Sequence, residues 1–452
     1  MNKTDNLSGK NLLLVSLMLF SLFFGAGNLI FPPFLGQAAG SNTWIAMCGF
    51  FVTAVGFPIL GVIAVAKSGG LHALSKKVHP AFAVVFTVLI YLSIGPCLGI
   101  PRAGSLPFEM AVAPFLPEGL ISNRLALFSY TFVFFSVAYW LCLTPSKLVN
   151  RMGKVLTPTL LTLITCIFLA SLFKPLGGYG EATGEYVKSP LVKGFLDGYL
   201  TMDTIAALNF GIVISLAVKA KGVKAQKAVI NNSIKAGLIA GALLVFIYSM
   251  LGHLGATSGG RFGVTENGAQ TLANIMQYIF GKPGLVLLAI TFTLACLTTC
   301  VGLITSCSQY FVTVIPNVKY ITFVRGLSLS SMVLANMGLT KILAVSVPVL
   351  DAIYPIAIVL ILLSMVDSLF RESSVVYIST IAFTSVISIL YALSSAGLKL
   401  EVLEQLLNKL PLYSQGLGWV VPSAVGFVLG LVLKLVKDRV CGKALAMNNV
   451  KE

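Results

Sequence analysis

Leu22-Phe23-Phe24-Gly25-Ala26-Gly27-Asn28-Leu29-Ile30-Phe31-Pro32-Pro33 is an apolar segment interrupted at its centre. The run begins at Leu12, breaks at Gly25-Ala26-Gly27-Asn28, and resumes at Leu29 to Phe31 before two prolines. A second interrupted run starts near Val192, meets Asp203 and Asn209-Phe210-Gly211, and continues to Val218. A broken helix frees N–H and C=O groups that hydrocarbon cannot satisfy. Such backbone survives at membrane depth only where protein buries it or a polar cavity solvates it. Two breaks at corresponding places in two halves of a chain point to a transporter binding site near the bilayer midplane. Two incidental kinks satisfied by neighbouring helices are the alternative, since Gly and Pro are common in membrane helices.

Composition puts these breaks in a membrane. The 452 residues are 57% hydrophobic and 10% charged, with mean hydropathy +0.94. That composition describes an all-α polytopic membrane protein embedded in a lipid bilayer. About twelve runs reach the ~20 residues needed to cross a ~30 Å core: Leu12–Gln37, Thr43–Ala66, Ala81–Ile100, Leu125–Leu143, Val155–Phe173, Val192–Val218, Val229–Gly255, Leu285–Ile315, Ile321–Met337, Ile342–Val366, Val375–Leu393 and Trp419–Val436. The first run has no short apolar core followed by a small-residue cleavage site, so it is expected to stay as a span.

The net charge of +16 suggests nucleic acid only until its placement is read. Lys67, Lys76 and Lys77, then Lys147, Arg151 and Lys154, then Lys219, Lys221, Lys224 and Lys227, and finally Lys434, Lys437, Arg439, Lys443 and Lys451 occupy alternate loops. The intervening loops are poorer in Lys and Arg and hold Glu109, Glu118, Glu181, Glu185, Glu266, Glu401 and Glu404. This asymmetry places both termini in the cytoplasm and leaves no role for nucleic acid.

Catalysis finds little material. His72, His79 and His253 are the only histidines, and no GxSxG, HExxH or Walker-type sequence occurs. Cys48, Cys97, Cys142, Cys166, Cys296, Cys300 and Cys307 sit in apolar spans, where buried packing is the expected role. Cys441 lies in the basic tail. No CxxC spacing or neighbouring His marks a metal site. The expectation is a carrier, not an enzyme, without a bound cofactor, and the missing nucleotide loop argues against an ATP-driven pump.

Five spans precede the second broken one. A five-span unit that starts inside must be followed by one that starts outside, which makes the two halves inverted repeats. The expected organisation of the single transmembrane domain is repeat one over about 12–173, repeat two over about 192–366, and two further helices over about 375–436. The long connection from Ala256 to Pro283 contains a helical pattern at Ala269–Phe280. Span eight is long enough to imply strong tilt.

Charged residues inside spans default to functional hypotheses. Asp203 at the second break would stay ionised in an unwound cavity, exchange protons there, or cap the following half-helix. Asp351, between Pro348 and Pro355, suggests another interruption, in span ten. In span eight the carbonyl of Ala295 and the hydroxyls of Thr298 and Thr299 share one helix face. Three neutral oxygens of this kind suit a hard cation, unless each hydroxyl simply bonds its own preceding turn.

With these features in hand, the opening segment, Gly198-Tyr199-Leu200-Thr201-Met202-Asp203-Thr204-Ile205-Ala206-Ala207-Leu208, and Tyr354-Pro355-Ile356-Ala357-Ile358-Val359-Leu360 resemble signatures of the bacterial branched-chain amino acid carriers. The resemblance covers nearly the whole chain. It implies a multi-pass transporter of the bacterial cytoplasmic membrane that imports leucine, isoleucine and valine by symport with a cation, usually sodium. It also implies the five-plus-five inverted-repeat fold of the bacterial leucine transporter. The substrate site it implies comprises Phe24, Gly25, Ala26, Gly27 and Asn28 from span one, and Asp203, Thr204, Ala207, Leu208 and Phe210 from span six. In that fold the freed N–H groups hold the substrate carboxylate and freed carbonyls its ammonium. The sodium ligands implied are the carbonyls of Ser21, Phe24 and Ala295 with the hydroxyls of Thr298 and Thr299. The chain departs from the leucine transporter in carrying one residue fewer between Asn28 and Phe31, in lacking that protein's gating Arg, and in placing Ile205 where a second sodium needs a hydroxyl. A proton-coupled carrier of the same or another hydrophobic amino acid is the alternative.

Overall fold

The computed structural model describes residues 6–113, 120–144, 148–398 and 407–448, so Glu118, Lys147, Glu401, Glu404 and Lys451 lie outside the described residues. The main helices are α1 (Gly9–Phe23), α2 (Ala26–Ala39), α3 (Thr43–Phe51), α4 (Phe57–Ser68), α5 (Pro80–Leu92), α6 (Gly99–Ala111), α7 (Leu120–Cys142), α8 (Thr157–Phe173), α9 (Pro190–Tyr199), α10 (Asp203–Ala220), α11 (Gln226–Phe262), α12 (Gly268–Phe280), α13 (Lys282–Val314), α14 (Tyr320–Ala335), α15 (Leu339–Met365), α16 (Ser374–Ser395) and α17 (Val420–Asn448). Every expected span falls on helix. Ten helical stretches among the described residues are long and apolar enough to cross a bilayer, and α1 and α14 are shorter apolar helices. Rows of exposed apolar side chains, such as Phe128, Phe132, Val133 and Trp140 on α7 and Val425, Val428 and Val432 on α17, form the surface that hydrocarbon covers.

The helices group into two compact units, one of Met1–Lys67 with Ile90–Ala344 and one of Ser68–Leu89 with Val345–Glu452. In the second unit α16 packs along α17, joined by the hydroxyls of Thr384 and Ser423 at 2.7 Å. In the first unit α2 packs on α11, α9 on α3, and α6 on α13. Lipid supplies no hydrophobic drive between helices, so close backbone approach through small residues replaces it. A Cβ added to Gly255 of α11 would lie 2.6 Å from the carbonyl carbon of Pro33 in α2, and neither backbone can yield cheaply. Gly255→Ala is therefore expected to destabilise the protein by about 1–3 kcal/mol, seen as a lower unfolding midpoint in detergent. Gly237→Ala on the same helix, with only Ile59 at 3.5 Å, should leave the midpoint unchanged.

Several local expectations change. Span ten is one continuous helix, α15, with Pro348 and Pro355 inside it, so no interruption surrounds Asp351. That carboxylate accepts a bond from the Ser395 hydroxyl at 2.8 Å. Glu109 is on α6 rather than in a loop, and accepts from the Leu339 N–H at 2.9 Å. Cys142, Cys296, Cys300 and Cys307 are buried, but Cys48, Cys97 and Cys166 are exposed. The helix expected at Ala269–Phe280 is α12, whose first N–H groups, on Ala269 and Gln270, are accepted by the Asn267 side chain. Burial and the adjacent Asp197 carboxylate push the Tyr186 phenol above its ordinary value, so Tyr186 stays protonated and donates to Asp197.

Candidate substrate site at the helix breaks

Three helix interruptions within the first unit gather around one place. The first break separates α1 from α2 at Phe24 and Gly25, with φ −110° and ψ −158° at Gly25. Asn28 closes it. Its Oδ1 accepts the Gly25 N–H at 3.0 Å, while its Nδ2 donates to Asp203 Oδ2 at 2.5 Å and to the Tyr248 hydroxyl. Tyr248 also donates to Asp203 Oδ2 at 3.3 Å. Both amide protons and the amide oxygen are thus used, as burial of such a group demands.

The second break lies at Leu200–Met202, between α9 and α10. Asn209-Phe210-Gly211, where an interruption was expected, sits inside continuous α10. Met202 takes φ 67° and ψ 7°, a left-handed conformation that costs a non-glycine residue roughly 1–2 kcal/mol. Met202 occupies the cap position and Asp203 is the first helical residue. Asp203 therefore does not cap α10; its carboxylate reaches across to Asn28.

The third break was not expected at all. Span three leaves α5 through a π-helical turn at Ser93–Cys97, with φ −82° and ψ −119° at Gly95, and restarts as α6 at Gly99. It then runs to Ala111, well past the expected end at Ile100, and carries Arg102 into the interior at 5% exposure. Arg102 Nη1 donates to the Leu200 carbonyl at 3.0 Å, an oxygen freed by the second break. The guanidinium also lies 5.4 Å from the centre of the Phe31 ring.

These breaks enclose a narrow cavity of about 40 Å³, room for about three waters at ~10–15 Å³ each. Of the expected site residues, Gly25, Ala26, Gly27, Asn28, Asp203 and Thr299 line it. Phe24, Thr204, Ala207, Leu208 and Phe210 do not. Phe24 stacks between Phe20 and Tyr248, Phe210 packs edge-on against Phe23, and Thr204 donates to the Thr53 carbonyl at 3.0 Å. Sequence reasoning missed Arg102, Met202 and Leu303, which line the cavity, and Tyr248 behind Asp203. Arg102 had a readable signal: a lone Arg after Gly95-Pro96 and Gly99-Ile100-Pro101, helix breakers in an otherwise apolar run.

Beside the cavity, Thr299 Oγ1 donates to the Ser21 carbonyl at 3.4 Å and Thr298 Oγ1 to the Ala295 carbonyl at 2.8 Å. Four of the five expected cation oxygens are thus linked in pairs on α1 and α13. For Thr298 the bond is to its own preceding turn, as the plain reading of a membrane threonine has it. Among the described residues, no three His, Cys, Asp or Glu side chains gather as a metal site.

Known proteins resemble this chain along nearly its whole length. The chain is 49% identical over 428 residues to branched-chain amino acid permease BraB of Bacillus subtilis (strain 168), covering 94% of this chain and 96% of the relative. It is 44% identical over 439 residues to branched-chain amino acid transport system 2 carrier protein of Pseudomonas aeruginosa, covering 97% and 98%. Among solved structures it resembles MHP1, a nucleobase-cation-symport-1 family transporter in a closed conformation with bromovinylhydantoin bound, with TM-score 0.57, 12% identity and coverage of 93% and 91%. It also resembles MhsT in complex with L-phenylalanine, with TM-score 0.52, 15% identity and coverage of 95% and 98%. These two share its fold, the multi-pass helical fold of the bacterial leucine transporter. Residues 8–437 match the family of branched-chain amino acid transport proteins, and this chain belongs to that family of membrane transporters, not to the enzymes.

Proposed function

We propose that this protein imports leucine, isoleucine and valine across the bacterial cytoplasmic membrane by symport with sodium, through alternating access around the cavity at the helix breaks. The observation that carries the reading is the 2.5 Å bond between Asn28 of the first break and Asp203 of the second, which joins both interruptions at one cavity. Relatives named for branched-chain amino acids supply the substrate class. The apolar lining, Leu22, Phe23, Ile94, Met202, Ala206 and Leu303, suits an aliphatic side chain, with each methylene discriminated worth about 1–3 kcal/mol. Since the cavity holds only about three waters, it must widen to take leucine, and the left-handed turn at Met202 is the natural place to yield.

The same reading has both termini in the cytoplasm and two inverted five-span repeats, each opening on a broken helix. Sodium sits among the Ser21, Phe24 and Ala295 carbonyls and the Thr298 and Thr299 hydroxyls, where neutral oxygens suit a hard ion. Leucine accumulation in proteoliposomes, with sodium and pH gradients imposed separately, tests it: accumulation is expected with the sodium gradient alone, and accumulation with the proton gradient alone would refute sodium coupling. Replacing Thr298 and Thr299 together by Ala removes two oxygens without lowering helix propensity. Sodium activation of uptake should then weaken severalfold at unchanged expression, and unchanged activation would remove α13 from the ion site.

A second reading has one observation in its favour. Asp203 is a carboxylate at 2% exposure, placed at membrane depth where such groups serve as proton carriers in pumps and transporters. In that reading Asp203 loads and releases the coupling proton.

A further inference from the structure

We propose that Arg102 binds the α-carboxylate of the transported amino acid, so that the cavity recognises a zwitterion between one fixed cation and one fixed carboxylate. The proposal rests on the reading of this cavity as the amino-acid site and adds to it a residue from a third broken helix. Arg102 sits on the first turn of α6, directly after the break that ends at Leu98, and lines the same cavity as Asp203 and the first-break backbone. Its position is fixed from two sides, by the Leu200 carbonyl at 3.0 Å and by the Phe31 ring beneath the guanidinium. Its Nη2 reaches the first break: a Cβ placed on Gly27 would stand 3.2 Å from that nitrogen.

A guanidinium presents its N–H donors in a planar fork that matches both oxygens of a carboxylate, and it stays charged at any physiological pH. At membrane depth a cation is expensive unless an anion or a dipole compensates it. The cavity offers a carboxylate at Asp203 and the freed carbonyl of Leu200. An amino acid adds one negative and one positive group to a site that already holds one of each. Its carboxylate falls to Arg102 and its ammonium to Asp203, and loading leaves the net charge of the buried site unchanged. An amino acid amide lacks the negative group and would bring a second cation beside Arg102.

The test measures binding to purified full-length protein in nanodiscs, using a panel of L-amino acids each paired with its carboxamide. The wild type is expected to bind L-leucine roughly a hundredfold or more tighter than L-leucinamide, the order expected when a buried charge is left unpaired. Arg102→Gln should lose most of that preference by weakening leucine while changing leucinamide less than about threefold. Arg102→Lys, which keeps the charge but not the fork, should fall between them. Parallel loss of leucine and leucinamide in Arg102→Gln would make Arg102 a strut for the Leu200 carbonyl and overturn the proposal. So would a wild type that binds acid and amide alike, a result that needs no variant to fold and leaves the branched-chain reading intact. Conversely, a wild type that prefers a different amino acid over its amide, with the preference lost in Arg102→Gln, removes the branched-chain reading and keeps the carboxylate site.

Discussion

Purified Gly27→Ala is expected to fold and yet bind leucine roughly tenfold more weakly or worse, which corresponds to ~1.4 kcal/mol or more. The new methyl group would stand 3.2 Å from Arg102 Nη2, 3.2 Å from the Phe31 ring and 3.3 Å from the Thr201 Cα. The guanidinium tip and the ring can shift by a few tenths of an ångström, so the fold survives. The Thr201 backbone yields less readily, and it belongs to the second break. All three neighbours lie where the substrate's polar end is proposed to rest, so the strain appears in binding rather than in stability. Ala also favours helix over Gly by about 1 kcal/mol, which works against any further opening of the break. Gly326→Ala on α14, with no atom within 4 Å of the new Cβ, is the control and should bind leucine normally. Equal binding by the two variants would place the substrate elsewhere.

Asp203→Leu should reduce saturating leucine uptake to about a tenth or less, because it removes the oxygen that accepts from both the Asn28 amide and the Tyr248 hydroxyl, and each buried bond lost costs about 1–3 kcal/mol. Asp203→Asn separates shape from charge. Its carbonyl oxygen can accept the same two bonds, but the group no longer titrates. If sodium alone drives the cycle, this variant still accumulates leucine under a sodium gradient, with a weaker apparent affinity because the substrate ammonium has lost its carboxylate partner. If Asp203 carries the coupling proton, the variant exchanges leucine for leucine but accumulates none. The two assays on one variant therefore decide between the proposed function and its alternative. Tyr248→Phe, which removes the hydroxyl bonded to Asp203 and Asn28, should have a smaller effect than Asp203→Leu.

Hydropathy and small-residue pattern alone determined the membrane class, the number and order of the spans to within about two, the first break and the helix expected at Ala269–Phe280. Those properties are sums over ~20 residues or follow from local turn chemistry, so neighbouring helices do not alter them. The first break was legible because Gly25 and Gly27 flank Ala26 next to Asn28, whose side chain bonds back to Gly25 within the same segment. The second break lies directly before Asp203, where it was expected, but it does not extend to Asn209-Phe210-Gly211, because where the backbone can open depends on a partner outside the segment. The chain opens at Leu200–Met202, where Arg102 can take the freed carbonyl, and not at Asn209–Gly211, where α10 satisfies its own backbone. Arg102 was overlooked because its depth follows from where α6 restarts, nearly a hundred positions away in sequence from the carbonyl it serves. Pro348 and Pro355 misled in the opposite direction, since a membrane helix tolerates proline wherever its surroundings resatisfy the backbone, and α15 runs through both. The sequence set which segments enter the membrane, because transfer from water is additive along the chain. Tertiary structure decided which residues face one another at the breaks, because a buried polar group is satisfied only by a partner that packing brings to it.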